Sequence, residues 1–193
     1  MTALTQKRLS DRSRARLFTL AGWLIILLGA SAALLPLLDR VAGSRAVGAL
    51  LFAGGLIELF AGMLRRETKI PSMVAGAVTT FAGLMFLVHP AGRFVPTVTI
   101  VTFWLLGRSI VLFVASRLVG GSVRLWITLS AATDLVLGVV LLLGISIATL
   151  VVTLFGPTQG LIASFAWVLA LSFVATGMLM LEIASCERES ADE

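Results

Sequence analysis

The sequence predicts an all-α, polytopic membrane protein with six transmembrane helices arranged as three tandem helical hairpins. Hydrophobic residues make up 59% of the 193 residues, and only 13% are charged. The mean hydropathy is +1.06, and the apolar residues are gathered into runs long enough to cross a bilayer. Because soluble domains reach only about 45–50% apolar residues, this composition excludes a soluble globular enzyme and a disordered chain.

Each predicted span approaches the roughly 20 apolar residues that a helix needs to cross the hydrocarbon core. In chain order the spans are Leu17–Leu38, Ala46–Leu64, Ile70–Val88, Phe94–Ala115, Val123–Leu143 and Gly160–Leu181. The connections between the first five are short, which predicts antiparallel neighbours. The uncharged stretch 144–159 contains Gly156-Pro157, a pair that interrupts helices. That stretch is either an interfacial or re-entrant piece or the extension of a tilted helix.

The basic residues that flank the spans are unevenly distributed between the two sides. Eleven lie on the side of the chain termini and three on the other side. Since basic loops stay in the cytoplasm, this bias predicts a basic cytoplasmic tail over 1–16 and a short acidic cytoplasmic tail over 184–193. The transmembrane domain then covers 17–183, and the predicted location is a plasma membrane.

Self-comparison indicates an internal repeat of helical hairpins. At an offset of 54 residues, Gly22 matches Gly76, Gly29 matches Gly83 and Pro36 matches Pro90. A further offset of 55 brings Gly83 onto Gly138. Small residues let membrane helices approach closely, so we expect helix packing at Gly22, Gly29, Gly76, Gly83 and Gly138. The alternative is chance, because glycine is common in membrane helices.

Three ionisable residues lie deep within the predicted spans, away from the span ends: Glu58, Arg108 and Asp134. Such residues cost about 2.5–3.5 kcal/mol each on insertion scales, so each is a candidate functional residue. At 1.5 Å per residue they lie roughly 10, 14 and 15 Å from the predicted cytoplasmic ends of their spans. The three side chains could therefore meet in the inner half of the membrane. One interpretation is an ion-pair staple that fixes helix order, another is a proton or substrate path, and a third is separate snorkelling to the surface.

The remaining reactive groups are few. The only histidine, His89, precedes Pro90 at the predicted extracytoplasmic end of the third span. It is a candidate pH-sensitive residue, since histidine titrates near neutral pH, and the alternative is a solvated loop histidine. One cysteine and one histidine provide no Cys/His metal-ligand spacing, and phosphate-loop and HExxH motifs are absent. We expect no catalytic residues, metal or cofactor, and no nucleic-acid partner.

A family resemblance is carried by Gly29 to Pro36, Val47-Gly48-Ala49-Leu50-Leu51 with Gly55 and Gly62, Gly83 to Pro90, and Leu125-Trp126 with Asp134 and Gly138. This is a resemblance to the HdeD family of bacterial acid-resistance membrane proteins. It implies a multi-pass protein of the bacterial inner membrane that is linked to acid stress. We therefore expect a non-enzymatic protein that supports envelope integrity or acid and stress resistance through membrane lipids, other membrane proteins or self-association. The alternative is a small proton-linked transporter or channel that uses Glu58, Arg108 and Asp134.

Overall fold

The computed structural model describes residues 3–34, 40–65, 68–88, 97–143 and 160–192, and these ranges contain helices and no strand. The helices are α1 (Ala3–Ala32), α2 (Arg40–Leu64), α3 (Lys69–Val88), α4 (Thr97–Ser116), α5 (Gly121–Leu142) and α6 (Gly160–Asp192). His89 and the predicted interruption at Gly156-Pro157 lie outside the described residues.

Each of the six helices contains a segment long and apolar enough to cross a membrane. The predicted all-helical class with six spans is therefore confirmed, and the chain is an integral, multi-pass membrane protein. Helices α1 and α6 extend into the predicted tails, because the sequences 3–16 and 184–192 contain neither glycine nor proline to end a helix. The spanning segments within them are Arg12–Ala32 and Trp167–Glu189.

The helices form a closed ring in which the most extensive contacts join α2 to α3, α1 to α6, and α4 to α5. The contacts of α3 with α4, α5 with α6, and α1 with α2 are smaller. The predicted hairpins are α1–α2, α3–α4 and α5–α6. The most extensive contacts thus join helices of neighbouring hairpins, and the contact of α1 with α6 closes the ring. The three-hairpin repeat itself stays a prediction from the sequence.

The repeated glycines lie on α1, α3 and α5. They face α6, α2 and α4, respectively, which in each case is the preceding helix of the ring. On α3, a Cβ at Gly76 would stand 2.5 Å from the backbone nitrogen of Leu59, and one at Gly83 would collide with the backbone nitrogen of Phe52. Both contacts are to backbone, which cannot move aside as a flexible side chain can. Helices α2 and α3 therefore approach at a distance that only glycine permits.

The same relationship recurs at the other two close pairs. On α1, a Cβ at Gly22 would lie 3.0 Å from the carbonyl oxygen of Gly177, and one at Gly29 would lie 3.1 Å from that of Ala170. On α5, a Cβ at Gly138 would lie 3.0 Å from Cδ2 of Leu106 on α4. The equivalent repeat positions therefore occupy equivalent helix contacts.

One end of the bundle gathers the start of α1, the α2–α3 and α4–α5 turns and the end of α6. Arg14 Nη2 lies 3.1 Å from Oε1 of Glu187 and also donates to the carbonyl oxygen of Leu64. Ser122 Oγ lies 3.8 Å from Cys186 Sγ, which brings the start of α5 to the same end. We call this end, which carries Arg14, Arg65, Arg117, Arg124 and Arg188, the basic end.

The outward-facing and inward-facing side chains invert the pattern of a soluble protein. Large apolar side chains such as Ile70, Phe103 and Leu142 are 75%, 72% and 68% exposed. Charged Glu58, Arg108 and Asp134 are instead buried in the bundle. Lipid tails solvate the former well, whereas ionisable groups within spans face the bundle interior.

Candidate functional site

The buried ion cluster consists of Glu58, Arg108 and Asp134, which the structure brings together inside the bundle. Arg108 on α4 is the central group and is 2% exposed. Its Nη2 lies 2.9 Å from Oε1 of Glu58 on α2, its Nε lies 3.4 Å from Oε2 of the same carboxylate, and its Nη1 donates to Oδ2 of Asp134 on α5. One planar guanidinium therefore bridges two carboxylates from different helices.

Two hydroxyl groups of α6 complete the surroundings of Arg108. Nη1 lies 3.2 Å from Ser172 Oγ, and Nη2 lies 2.6 Å from Thr176 Oγ1. A guanidinium has five N–H groups, and the five contacts to Glu58, Asp134, Ser172 and Thr176 supply an acceptor for each. Arg108 is therefore saturated with hydrogen bonds from its own protein.

The hydroxyl groups of α6 also orient the cluster. Ser172 Oγ donates to Oδ1 of Asp134 at 2.7 Å, so both carboxylate oxygens of this fully buried residue are hydrogen-bonded. Thr176 Oγ1 donates to the carbonyl oxygen of Ser172 at 2.8 Å, which leaves its lone pairs for Arg108. The two residues lie one helical turn apart, and each holds one side of the guanidinium.

Helix α3 reaches the cluster through Thr79. Its Oγ1 lies 3.5 Å from Oε2 of Glu58 and accepts a hydrogen bond from the indole Nε1 of Trp104 at 3.0 Å. Trp104 lies on α4, one turn before Arg108. The network consequently joins α2, α3, α4, α5 and α6.

A second buried arginine, Arg65, lies at the basic end of the bundle. Its Nη1 lies 2.9 Å from Ser72 Oγ, and its Nη2 lies 3.8 Å from Met180 Sδ. Burial lowers its pKa to about 10, with the negative charge of Glu58 opposing this shift and the positive charge of Arg108 adding to it. The side chain therefore stays cationic near neutral pH, and the two arginines balance the charges of the two carboxylates.

Sequence reasoning identified the three cluster charges and missed their partners. Arg65 stands at the end of a span and is one of the eleven flanking basic residues counted above, so nothing in the sequence indicated its burial. Ser172, Thr176 and Thr79 are residue types that occur throughout membrane helices. The available signal was their spacing, since Ser172 and Thr176 lie one turn apart and Ser72 and Thr79 lie two turns apart, each pair on one buried face.

The other predicted site residues lie elsewhere. The glycines form helix contacts, as described above, and a Cβ at Gly76 would lie 3.0 Å from the backbone of Glu58. His89 is outside the described residues. Within the described ranges, no group of three or more His, Cys, Asp or Glu side chains could hold a metal ion. The cluster contains one cation and two carboxylates, with hydroxyl groups around them, and this set can hold helices together or exchange protons.

Comparison with known proteins gives no relative for this chain. No family model matches it, and neither a curated protein nor a solved structure matches it.

Proposed function

We propose that the chain is a non-enzymatic protein of the bacterial inner membrane, with both termini in the cytoplasm. In this proposal it supports the envelope, or resistance to acid and other stress, through contacts with lipids or other membrane proteins, and the buried ion cluster is a staple that holds the bundle in shape. The acid-stress part rests on the resemblance to the HdeD family. The role of the cluster rests on its geometry.

The observation that carries the structural role is the saturation of Arg108. All five of its N–H groups have acceptors within the protein. A group that binds a substrate or passes protons needs a donor or acceptor that is open to the transported species. Removing one partner of a buried ion pair typically costs about 3–5 kcal/mol, because the other charge is left unpaired. An interior group of this kind stabilises one helix arrangement.

A proton-linked transporter or channel is the second candidate, and a specific feature favours it. Ser72 Oγ donates to Thr68 Oγ1 at 3.3 Å, and Arg65 donates to Ser72. These polar groups continue from the level of Glu58 towards the basic end, where a proton could enter. Two buried carboxylates around one arginine are also chemically able to take up a proton.

Proton flux into proteoliposomes separates the two candidates. The purified protein is reconstituted with a trapped pH-sensitive dye, and the external pH is lowered with a potassium/valinomycin clamp. We expect the wild type, the Asp134→Asn variant and protein-free vesicles to acidify at the same rate. Acidification that requires the wild-type protein and is abolished in folded Asp134→Asn vesicles would establish the transporter and refute the staple.

The physiological part has its own test in the source bacterium. Deleting the gene should lower survival at acid pH or under envelope stress, and the wild-type gene should restore it. A neutral Arg108→Gln/Asp134→Asn variant that is present at wild-type levels should restore survival as well, because a staple contributes only to the fold. Unchanged survival of the deletion strain under both stresses would contradict the proposed function.

A further inference from the structure

A groove runs along the outer face of the bundle between α4 and α5. Its α4 wall includes Ile110, Phe113 and Val114, its α5 wall includes Thr128, Ala132 and Leu135, and its volume is about 330 Å³. An open surface of α5 continues from this groove to Arg124 and Gly121, and it shares Thr128 and Ala132 with the groove. We call the groove and this adjoining surface of α5 the α4–α5 groove.

The walls of the α4–α5 groove present mainly apolar surface, because their hydroxyl groups are hydrogen-bonded within their own helices. Thr128 Oγ1 donates to the carbonyl oxygen of Arg124 at 2.8 Å, and Ser109 Oγ donates to that of Leu106 at 2.8 Å. Both hydroxyl protons are thus used within their own helices. Ile110, Phe113 and Val114 are each at least half exposed. The groove offers surface for a hydrocarbon chain and no free hydroxyl donor along its length.

The length of the groove matches one leaflet of a bilayer. Arg124 and Leu135 are eleven residues apart on α5, which at 1.5 Å per residue is about 16 Å. Half of a hydrocarbon core of about 30 Å is about 15 Å. A chain that lies in the groove with its polar end at Arg124 would therefore end near the middle of the membrane.

The mouth of the groove carries two exposed arginines. The Arg117 guanidinium carbon lies 5.3 Å from the centre of the Phe113 ring, and Phe113 is itself a wall residue. Arg124 lines the α5 part of the groove. Neither arginine forms an ion pair with any carboxylate in the part of the chain that the structure describes. The mouth is therefore positively charged, and its planar guanidinium groups match the geometry of a phosphate.

We infer that the α4–α5 groove binds a phospholipid with a net negative headgroup from the leaflet at the basic end. One acyl chain lies along the groove, and the phosphate lies between Arg117 and Arg124. This inference rests on the lipid-contact part of the proposed function and names the class of lipid. A zwitterionic lipid would bring a cationic amine to the same two arginines and would bind more weakly.

Native mass spectrometry in detergent tests the inference with two probes, phosphatidylglycerol and phosphatidylcholine of the same acyl chains. The wild type should bind phosphatidylglycerol more tightly than phosphatidylcholine. Arg117→Gln/Arg124→Gln should weaken phosphatidylglycerol binding about 30-fold, since each basic residue near a lipid surface contributes about fivefold. Arg16→Gln/Lys69→Gln removes the same charge from exposed positions at the same end and should weaken binding much less, because neither residue lines the groove.

A second variant tests the hydrocarbon part. Ala132 is exposed and lines both sections of the groove, so Ala132→Trp should block the acyl chain while both arginines remain. We expect it to weaken binding of both lipids. Equal binding of the two lipids by the wild type, or unchanged phosphatidylglycerol binding by either groove variant, would overturn the inference.

The same spectra report the oligomeric state. A dimer that Ala132→Trp dissociates without loss of phosphatidylglycerol binding would assign the groove to a second copy of the chain and overturn the lipid site. Lipid binding is measured here by mass spectrometry, whereas the proposed function is tested by proton flux and by survival under stress. Failure of the lipid site therefore appears in a different measurement from failure of the proposed function.

Discussion

The backbone nitrogen of Phe52 on α2 occupies the space into which a Cβ at Gly83 on α3 would project. The other predicted repeat position on α3 is Gly76. A Cβ there would be slightly farther from the backbone of α2, at 2.5 Å from the nitrogen of Leu59. The contact at Gly83 shows why close packing in this bundle depends on a missing side chain. In a membrane, where helix association relies on such packing, the contact is a direct contribution to stability.

Replacing Gly83 should therefore destabilise the bundle. We expect Gly83→Ala to lower the free energy of unfolding by about 1–3 kcal/mol, because the added methyl group meets backbone and the helices must separate. Gly107 on α4 is the matched control, since nothing lies within 4 Å of a Cβ there. Gly107→Ala should be neutral or slightly stabilising. Unfolding in mixed micelles of increasing SDS content measures both, and equal stabilities would contradict the close approach.

The repeat positions should differ in sensitivity according to what they contact. A Cβ at Gly138 meets the flexible end of Leu106, whereas one at Gly83 meets backbone. We therefore expect Gly138→Ala to cost less than Gly83→Ala in the same unfolding assay. A larger loss at Gly138 would show that backbone contact does not set the ranking.

Sequence alone identifies the small residues of the repeat but not their partners. Gly22 and Gly29 on α1 face α6, which is the most distant helix in the sequence. A stripe of glycine predicts that something approaches closely, and says nothing about which helix does so. The closure of the ring by α1 and α6 depends on tertiary packing, which a pattern within one helix does not encode.

The charge cluster was more predictable because charges inside spans are costly and therefore rare. The rise per residue was enough to place Glu58, Arg108 and Asp134 at similar depths. The hydroxyl partners were not predictable, since Ser172 and Thr176 become important only when α6 packs against the cluster. Arg65 directly follows the last residue of α2, as a flanking charge should, but its burial was not predictable, because it depends on how α3 and α6 cover the end of α2.

Thr79 should stabilise the network as the acceptor for Trp104. Thr79→Val keeps the shape of the side chain and removes the oxygen that lies 3.0 Å from Trp104 Nε1. A buried N–H without a partner costs about 1–3 kcal/mol, so we expect a loss of this size in the free energy of unfolding. Thr133→Val is the control, because that hydroxyl donates to the Leu129 carbonyl of its own helix. Equal effects of the two substitutions would exclude the proposed role of Thr79.

The orientation in the membrane is tested by labelling. In a Cys186→Ser background, single cysteines are introduced as Ser10→Cys, Ala42→Cys and Ser190→Cys. A membrane-impermeant maleimide applied to intact cells should label Ala42→Cys alone, since the basic bias predicts cytoplasmic termini. Labelling of Ser10→Cys and Ser190→Cys in intact cells would contradict the predicted topology and place both termini outside the cytoplasm.

The double-mutant cycle between Arg108 and Asp134 tests the staple most directly. Its measurement is the free energy of unfolding of the wild type, Arg108→Gln, Asp134→Asn and the double variant in the same lipid–detergent mixture. Arg108→Gln should cost about 3–5 kcal/mol because it leaves two carboxylates unpaired, and Asp134→Asn should cost less. The double variant should be more stable than Arg108→Gln alone, with a coupling of about 1–3 kcal/mol. Strictly additive losses, or an Arg108→Gln variant as stable as the wild type, would contradict the staple.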